Sequence, residues 1–259
     1  MTFAQYFQPA RFMHLLKKDG IYDQKRSWLI AGATMIVLLC TILFWAWDGD
    51  NSTPYFYDDF FPFLLFGGGL LYTSFAFKDL DSPDTGHLYL SLPASNFEKF
   101  LSKFLITTIG FVLTLIISWW LFSVITGGII EAFFDIQVQQ FQPLTGDNWL
   151  YLKVYFVLQS LFFLGAVMFR KYAAVKTIVS GFALMFLLIG IVLLIVRIVF
   201  NEFFDGFEPT MSDRDMMPTP WFQDFAEHRL FGFGQFVFWI VLPLFFWTVS
   251  YFKLKEQEI

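Results

Sequence analysis

Six stretches of this chain stay apolar over about the ~20 residues that an α-helix needs to cross a bilayer. They are 27–47, 58–77, 104–126, 150–169, 177–200 and 231–252. The first twenty residues follow a different pattern. Phe3, Tyr6, Phe7, Ala10, Met13 and His14 recur at helical spacing, Phe12, Leu15 and Leu16 widen the apolar face, and Arg11, Lys17 and Lys18 supply positive charge. That pattern predicts a helix lying in the membrane interface, over 1–20, with packing on a soluble partner as the alternative. Pro9 suits a bend or the start of the helix's second half, and Gly20 suits a stop. The first apolar run follows this long charged leader and ends "FWAWDGD". It is therefore expected to be a retained span and not a cleaved signal. The second run holds Pro62 and the triplet Gly67, Gly68 and Gly69, and the sixth holds Pro243. Membrane helices tolerate both residue types because neighbouring groups satisfy the freed backbone. Only "RKYAAVK" separates the fourth and fifth runs, which predicts a tight helical hairpin.

The segment "DSPDTGHLYLSLPASNFEKFLSK", residues 81–103, interrupts the apolar pattern. Pro83, Asp84 and Gly86 are turn residues, each for its own reason: fixed φ, a side chain that bonds nearby backbone, and access to positive φ. "HLYLSL" is an apolar-rich patch too short to span. Ser95 followed by Glu98 is a capping box, in which each side chain satisfies a backbone N–H of a new helix. Lys99 and Lys103 lie one turn apart and are expected to keep the inner end of the third span in water. The segment thus reads as a turn, a short amphipathic element, Pro93 and a capped helix. It is either an ordered loop dipping into the interface or a docking surface for a cytoplasmic protein.

Composition strengthens the membrane reading. Of 259 residues 57% are hydrophobic and 15% charged, against about 45–50% and about 25% in soluble domains. Mean hydropathy is +0.58. The net charge of −5 argues against nucleic-acid binding. Charge is unevenly spread. With the N-terminus inside, thirteen of the 17 Lys and Arg residues fall on the cytoplasmic side, but only eight of the 22 Asp and Glu residues. The basic bias sets orientation, so both termini are expected in the cytoplasm. Trp45, Trp47, Trp149, Tyr151, Trp221 and Tyr251 fall near span ends, where amphipathic rings anchor. Two long acidic and aromatic outer loops result, 127–149 and 201–230.

Candidate chemistry is sparse. Cys40 is the single cysteine, and His14, His87 and His228 lie far apart, so neither a disulfide nor a metal site is expected. No GxxxxGK[ST] occurs, so the chain lacks a nucleotide-binding P-loop. Polar residues within spans are few: Gln159, Ser160, Thr107, Thr108, Thr114 and Ser118, with Lys153 and Arg197 near outer ends. They suit interhelical hydrogen bonds, and the lack of acids there argues against an ion-driven carrier. No catalytic constellation supports an enzyme.

"ARFMHLLKKDG" followed by Lys25, Arg26 and a span, and "LYLSLPASNFEKFLSKFL" after the second span, resemble the corresponding parts of ABC-2 type transporter permeases. The resemblance is sharpest over 11–26 and 78–105, and the six-span plan with both ends inside matches it. It implies a single transmembrane domain, all α, with residues 1–20 as an elbow helix carrying Arg11, Lys17 and Lys18. It implies that Asp84, Thr85, Gly86, His87, Leu88, Tyr89, Leu92 and Pro93 form a coupling element docking in a cleft of a cytoplasmic ATPase. Ser95 and Glu98 would cap the helix that follows. A second permease chain would complete the pathway in a bacterial inner membrane. The chain itself would carry no cofactor, with ATP and Mg on the ATPase. The competing expectation is a non-transporting membrane scaffold working through its acidic outer loops.

Overall fold

The computed structural model describes residues 7–22, 24–48, 56–80, 86, 91–134, 136, 138–144, 146–169, 171–199 and 231–256. All regular structure among them is helical. Seven helices run in chain order: α1 (Pro9–Tyr22), α2 (Gln24–Asp48), α3 (Phe56–Leu80), α4 (Asn96–Phe134), α5 (Gly146–Met168), α6 (Ala173–Val199) and α7 (231–256). Five of them, α3 to α7, are long and apolar enough to cross a membrane, and α2 contributes a shorter apolar stretch, Gly32–Asp48.

Pro9 is the first helical residue of α1, where its missing N–H is not needed and its fixed φ fits. Gly20 does not stop the helix, which runs on to Tyr22. It is exposed, and interior Gly costs only about 1 kcal/mol relative to Ala, too little to end a helix continued by its neighbours. The third apolar run belongs to one 39-residue helix, α4. At 1.5 Å per residue it is about 58 Å long, well beyond the ~30 Å hydrocarbon core. A helix of that length extends beyond the hydrocarbon core at one end or both.

Three helices contain a widened π-turn: Leu64–Gly68 in α3, Leu105–Gly110 in α4 and Val237–Val241 in α7. Each falls where Gly or Pro weakens the regular ladder, next to Pro62 and Gly67–Gly69, at Gly110, and just before Pro243. Such turns re-aim the side chains beyond them.

Two apolar cores fill the bundle. One joins Leu38, Ile42 and Ala46 of α2, Phe56, Tyr57, Phe61 and Leu65 of α3, Val112, Trp119 and Ile130 of α4, and Leu152 and Tyr155 of α5. Trp119 is wholly buried and its indole N–H donates to the Tyr57 carbonyl at 3.1 Å. The other, toward the α4 N-terminus, joins Ala76, Phe77 and Leu80 to Phe163, Ala166, Val167 and Leu254. Helix α5 belongs to both and is the centre of the bundle. Its neighbours come close at two glycines. A Cβ on Gly69 would collide with Tyr155 and Phe111, and one on Gly165 would collide with Thr177 of α6. Four residues, 169–172, separate α5 from α6, and Tyr172 has φ 57°. Of the expected outer loop 127–149, residues 127–134 continue α4 and 146–149 begin α5, and the described residues between them fold back on the bundle. Phe141 is buried against Phe61, and Asn148 donates to Asp58 at 2.8 Å and to the Gln142 carbonyl at 3.0 Å.

Candidate functional site

The capping box predicted at Ser95 and Glu98 is present, and it is also the hub of a larger junction. Ser95 Oγ accepts from the Glu98 backbone N–H at 3.2 Å, and Glu98 Oε2 accepts from the Ser95 N–H at 2.9 Å. The same carboxylate then receives α1. Arg11 Nε donates to Oε2 at 2.8 Å and Arg11 Nη2 to Oε1 at 2.9 Å, a two-point clasp, while the Gln8 backbone N–H donates to Oε1 at 2.8 Å. Four donors occupy one fully buried carboxylate, and charge-assisted bidentate pairs of this kind are the strong ones. Burial pushes the Glu98 carboxyl pKa up. The hydrogen bonds from Arg11, Gln8 and Ser95 and the Arg11 charge outweigh burial, and the net effect is a value below the ordinary one.

A second contact lies two turns along α1 and little more than one turn along α4. Asp19 of α1 accepts from Ser102 Oγ at 2.8 Å and pairs with Lys103 Nζ at 3.3 Å, and Lys103 also reaches Asp79, at the end of α3, at 3.6 Å. Aromatic rings extend the junction to α7: Phe97 packs on Phe7 and Tyr251, and Phe100 on Tyr251. Helix α1 is thus fastened to the first turns of α4, whose Lys103, Phe97 and Phe100 in turn reach the ends of α3 and α7.

This arrangement corrects the expected role of Lys99 and Lys103. Lys99 is buried, 1% exposed, and the Lys103 side chain is 13% exposed, so neither extends into water. The acids that draw Lys103 inward, Asp19 and Asp79, are far away in sequence, which local spacing cannot reveal. Lys17 and Lys18 are exposed on α1. Of the expected coupling residues, Asp84, Thr85, His87, Leu88 and Tyr89 lie outside the described residues, as does loop 201–230. Gly86 is buried beside the Asp79 carbonyl. Leu92 packs against the second core and Pro93 is exposed. Sequence reasoning missed Gln8, Asp19, Asp79 and Ser102. The lone signal was the Asp19 acid set behind Lys17 and Lys18.

Within the bundle, polar residues join helices. Gln159 Nε2 donates to Thr108 Oγ1 at 2.7 Å, in the π-turn of α4, and Gln159 Oε1 accepts from the Trp247 indole at 3.2 Å. Ser118, Ser160 and Thr107 bond within their own helices. Thr73 and Tyr155 carry buried hydroxyls without a partner of good geometry. Among the described residues no three His, Cys, Asp or Glu side chains gather as a metal site would need.

No family model, curated protein or solved structure matches this chain.

Proposed function

We propose that this chain is the membrane subunit of an ATP-driven transporter of the ABC-2 type, with six spans, α2 to α7, and both termini in the cytoplasm. The junction around Glu98 is the observation that carries this reading. Segment 81–94 connects α3 to α4 and is followed at once by the capped turn that holds α1. Force applied to that segment reaches α1, α3, α4 and α7 together, which is what a partner ATPase needs if its two states are to bias the helices. The motif residues at 11–26 and 78–105 support the same reading, as does the bias of Lys and Arg toward the side bearing α1. ATP and Mg would bind the partner, and a second permease chain would complete the pathway.

The test is co-purification from mild detergent with a C-terminal tag. A Walker-motif ATPase recovered in equal copy number supports the reading. Asp at Leu88, Tyr89 and Leu92 is expected to release that ATPase while the protein still inserts. Reproducible recovery of other membrane or envelope proteins, and no ATPase, would overturn it in favour of a scaffold working through the acidic loops.

A further inference from the structure

A groove of about 280 Å³ runs between α5 and α7, lined by Lys153, Phe156, Trp239, Ile240, Pro243, Leu244 and Trp247. It lies toward the end of the bundle opposite the Glu98 junction, since α5 enters from that end at Gly146 and α7 at 231. Ile240 and Leu244 are exposed on its rim, so it opens sideways, toward the surroundings of the bundle. The π-turn Val237–Val241 and Pro243 form one wall. There the α7 ladder is widened and interrupted, and the helix leaves the space that regular packing against α5 would close.

Among the described residues, one cation lines this groove. Lys153 Nζ sits 5.9 Å from the Trp149 ring centroid and 5.6 Å from that of Trp239. Two indole faces steady the ammonium through their ring quadrupoles but carry no net negative charge. Among the described residues no carboxylate pairs with it. Seven residues into a membrane helix, about 10 Å from its start, such a charge costs free energy unless it reaches the headgroup layer or binds an anion. Below it the lining is wholly apolar as far as Trp247. Residues 239 to 247 span about 12 Å, enough for much of an acyl chain.

We propose that this groove binds an anionic phospholipid, with the phosphate on Lys153 between the two indoles and one acyl chain along α7 toward Trp247. The inference stands on these contacts alone and does not need the transporter reading. Charge complementarity commits it to an acidic headgroup: a zwitterionic lipid would bring its own ammonium against Lys153 and the positive ring edges.

The full chain, reconstituted in phosphatidylcholine vesicles, provides the test. Tryptophan quenching is compared between equal fractions of acyl-brominated phosphatidylglycerol and acyl-brominated phosphatidylcholine. The wild type is expected to favour phosphatidylglycerol about fivefold in apparent affinity, the contribution of one lysine to an anionic lipid. Lys153→Gln is expected to erase that preference while quenching by brominated phosphatidylcholine stays unchanged, which shows that fold and insertion survive. Lys153→Arg is expected to retain it. Trp247→Phe removes the reporter beside the acyl chain and is expected to reduce the excess quenching. Equal quenching of the wild type by both lipids overturns the proposal, as does a preference that Lys153→Gln leaves intact. An excess unaffected by Trp247→Phe also overturns it, because the lipid would then lie elsewhere.

Discussion

Helices α5 and α6 are consecutive, joined by a four-residue turn, and similar in composition. Their most apolar windows have mean hydropathy 1.7 and 2.1, yet 56% of the α5 window is buried inside the protein and only 6% of the α6 window. The more apolar helix is the barer one. Lipid tails are as apolar as a protein core, so no hydrophobic force draws α6 inward. Close packing and hydrogen bonds decide which helix becomes the centre. Helix α5 offers both: small residues where neighbours approach, at Gly165 and Ala166, and Gln159 as a two-sided polar link. Helix α6 meets α5 near Thr177 and leaves Phe182, Phe186, Leu187 and Leu194 to lipid or to the second chain of the proposed pair.

The strongest way to break this contrast is a bulky residue where the two helices touch. Gly165→Val has no room, because even a Cβ would overlap Thr177. It is expected to cost about 3 kcal/mol or more, read as a lower melting temperature in detergent. Gly190→Val in α6 has nothing within 4 Å to strike and is expected to leave melting unchanged. Equal effects of the two would show that the hairpin does not pack as described.

Next in size is loss of volume. Phe163→Ala empties a wholly buried position in α5. Transfer into lipid contributes little here, so the cavity carries the cost, about 2–3 kcal/mol. Phe186→Ala in α6, where the residue is 67% exposed, is expected to cost close to nothing, since a lipid tail fills the space. Gln159→Leu keeps the size but strands Thr108 and Trp247, and is expected to cost about 1–3 kcal/mol. A double mutant with Thr108→Val should recover part of that loss, a coupling measured by the same melts.

The smallest effect separates packing from the polar junction. Glu98's folded pKa is lowered, so its contribution is present above the ordinary value of 4.5 and lost as pH falls through the folded value. Wild-type stability is therefore expected to be flat from neutral pH to about that value and then to decline. Glu98→Gln should be less stable at neutral pH and lack that part of the decline. Parallel curves would remove Glu98 from the pH response.

Much of this was legible beforehand. Local rules suffice where neighbours in sequence make the contact: the apolar lengths that became α3 to α7, a short link between α5 and α6, at four residues and not the seven expected, and the Ser95–Glu98 cap. The candidate site was legible only in outline. That Glu98 would hold Arg11 and Gln8 as well as its own cap depends on α1 folding back across more than eighty residues. Asp19 reaching Lys103 depends on the same docking. Neither leaves a periodic trace.

Composition and spacing by themselves determined that the chain is helical, more apolar than an average soluble domain, and furnished with a capped polar segment between two of its long apolar runs. These follow from the length of apolar runs, from backbone groups that must be satisfied within the helix in lipid, and from caps that reach only a few residues. Tertiary structure alone decided that α5 is central and α6 bare, that Lys99 and Lys103 turn inward, and that Lys153 faces Trp239 across a groove. Each depends on which surfaces meet, and in an apolar solvent that choice is made by shape, small residues and paired polar groups, to which hydropathy is blind.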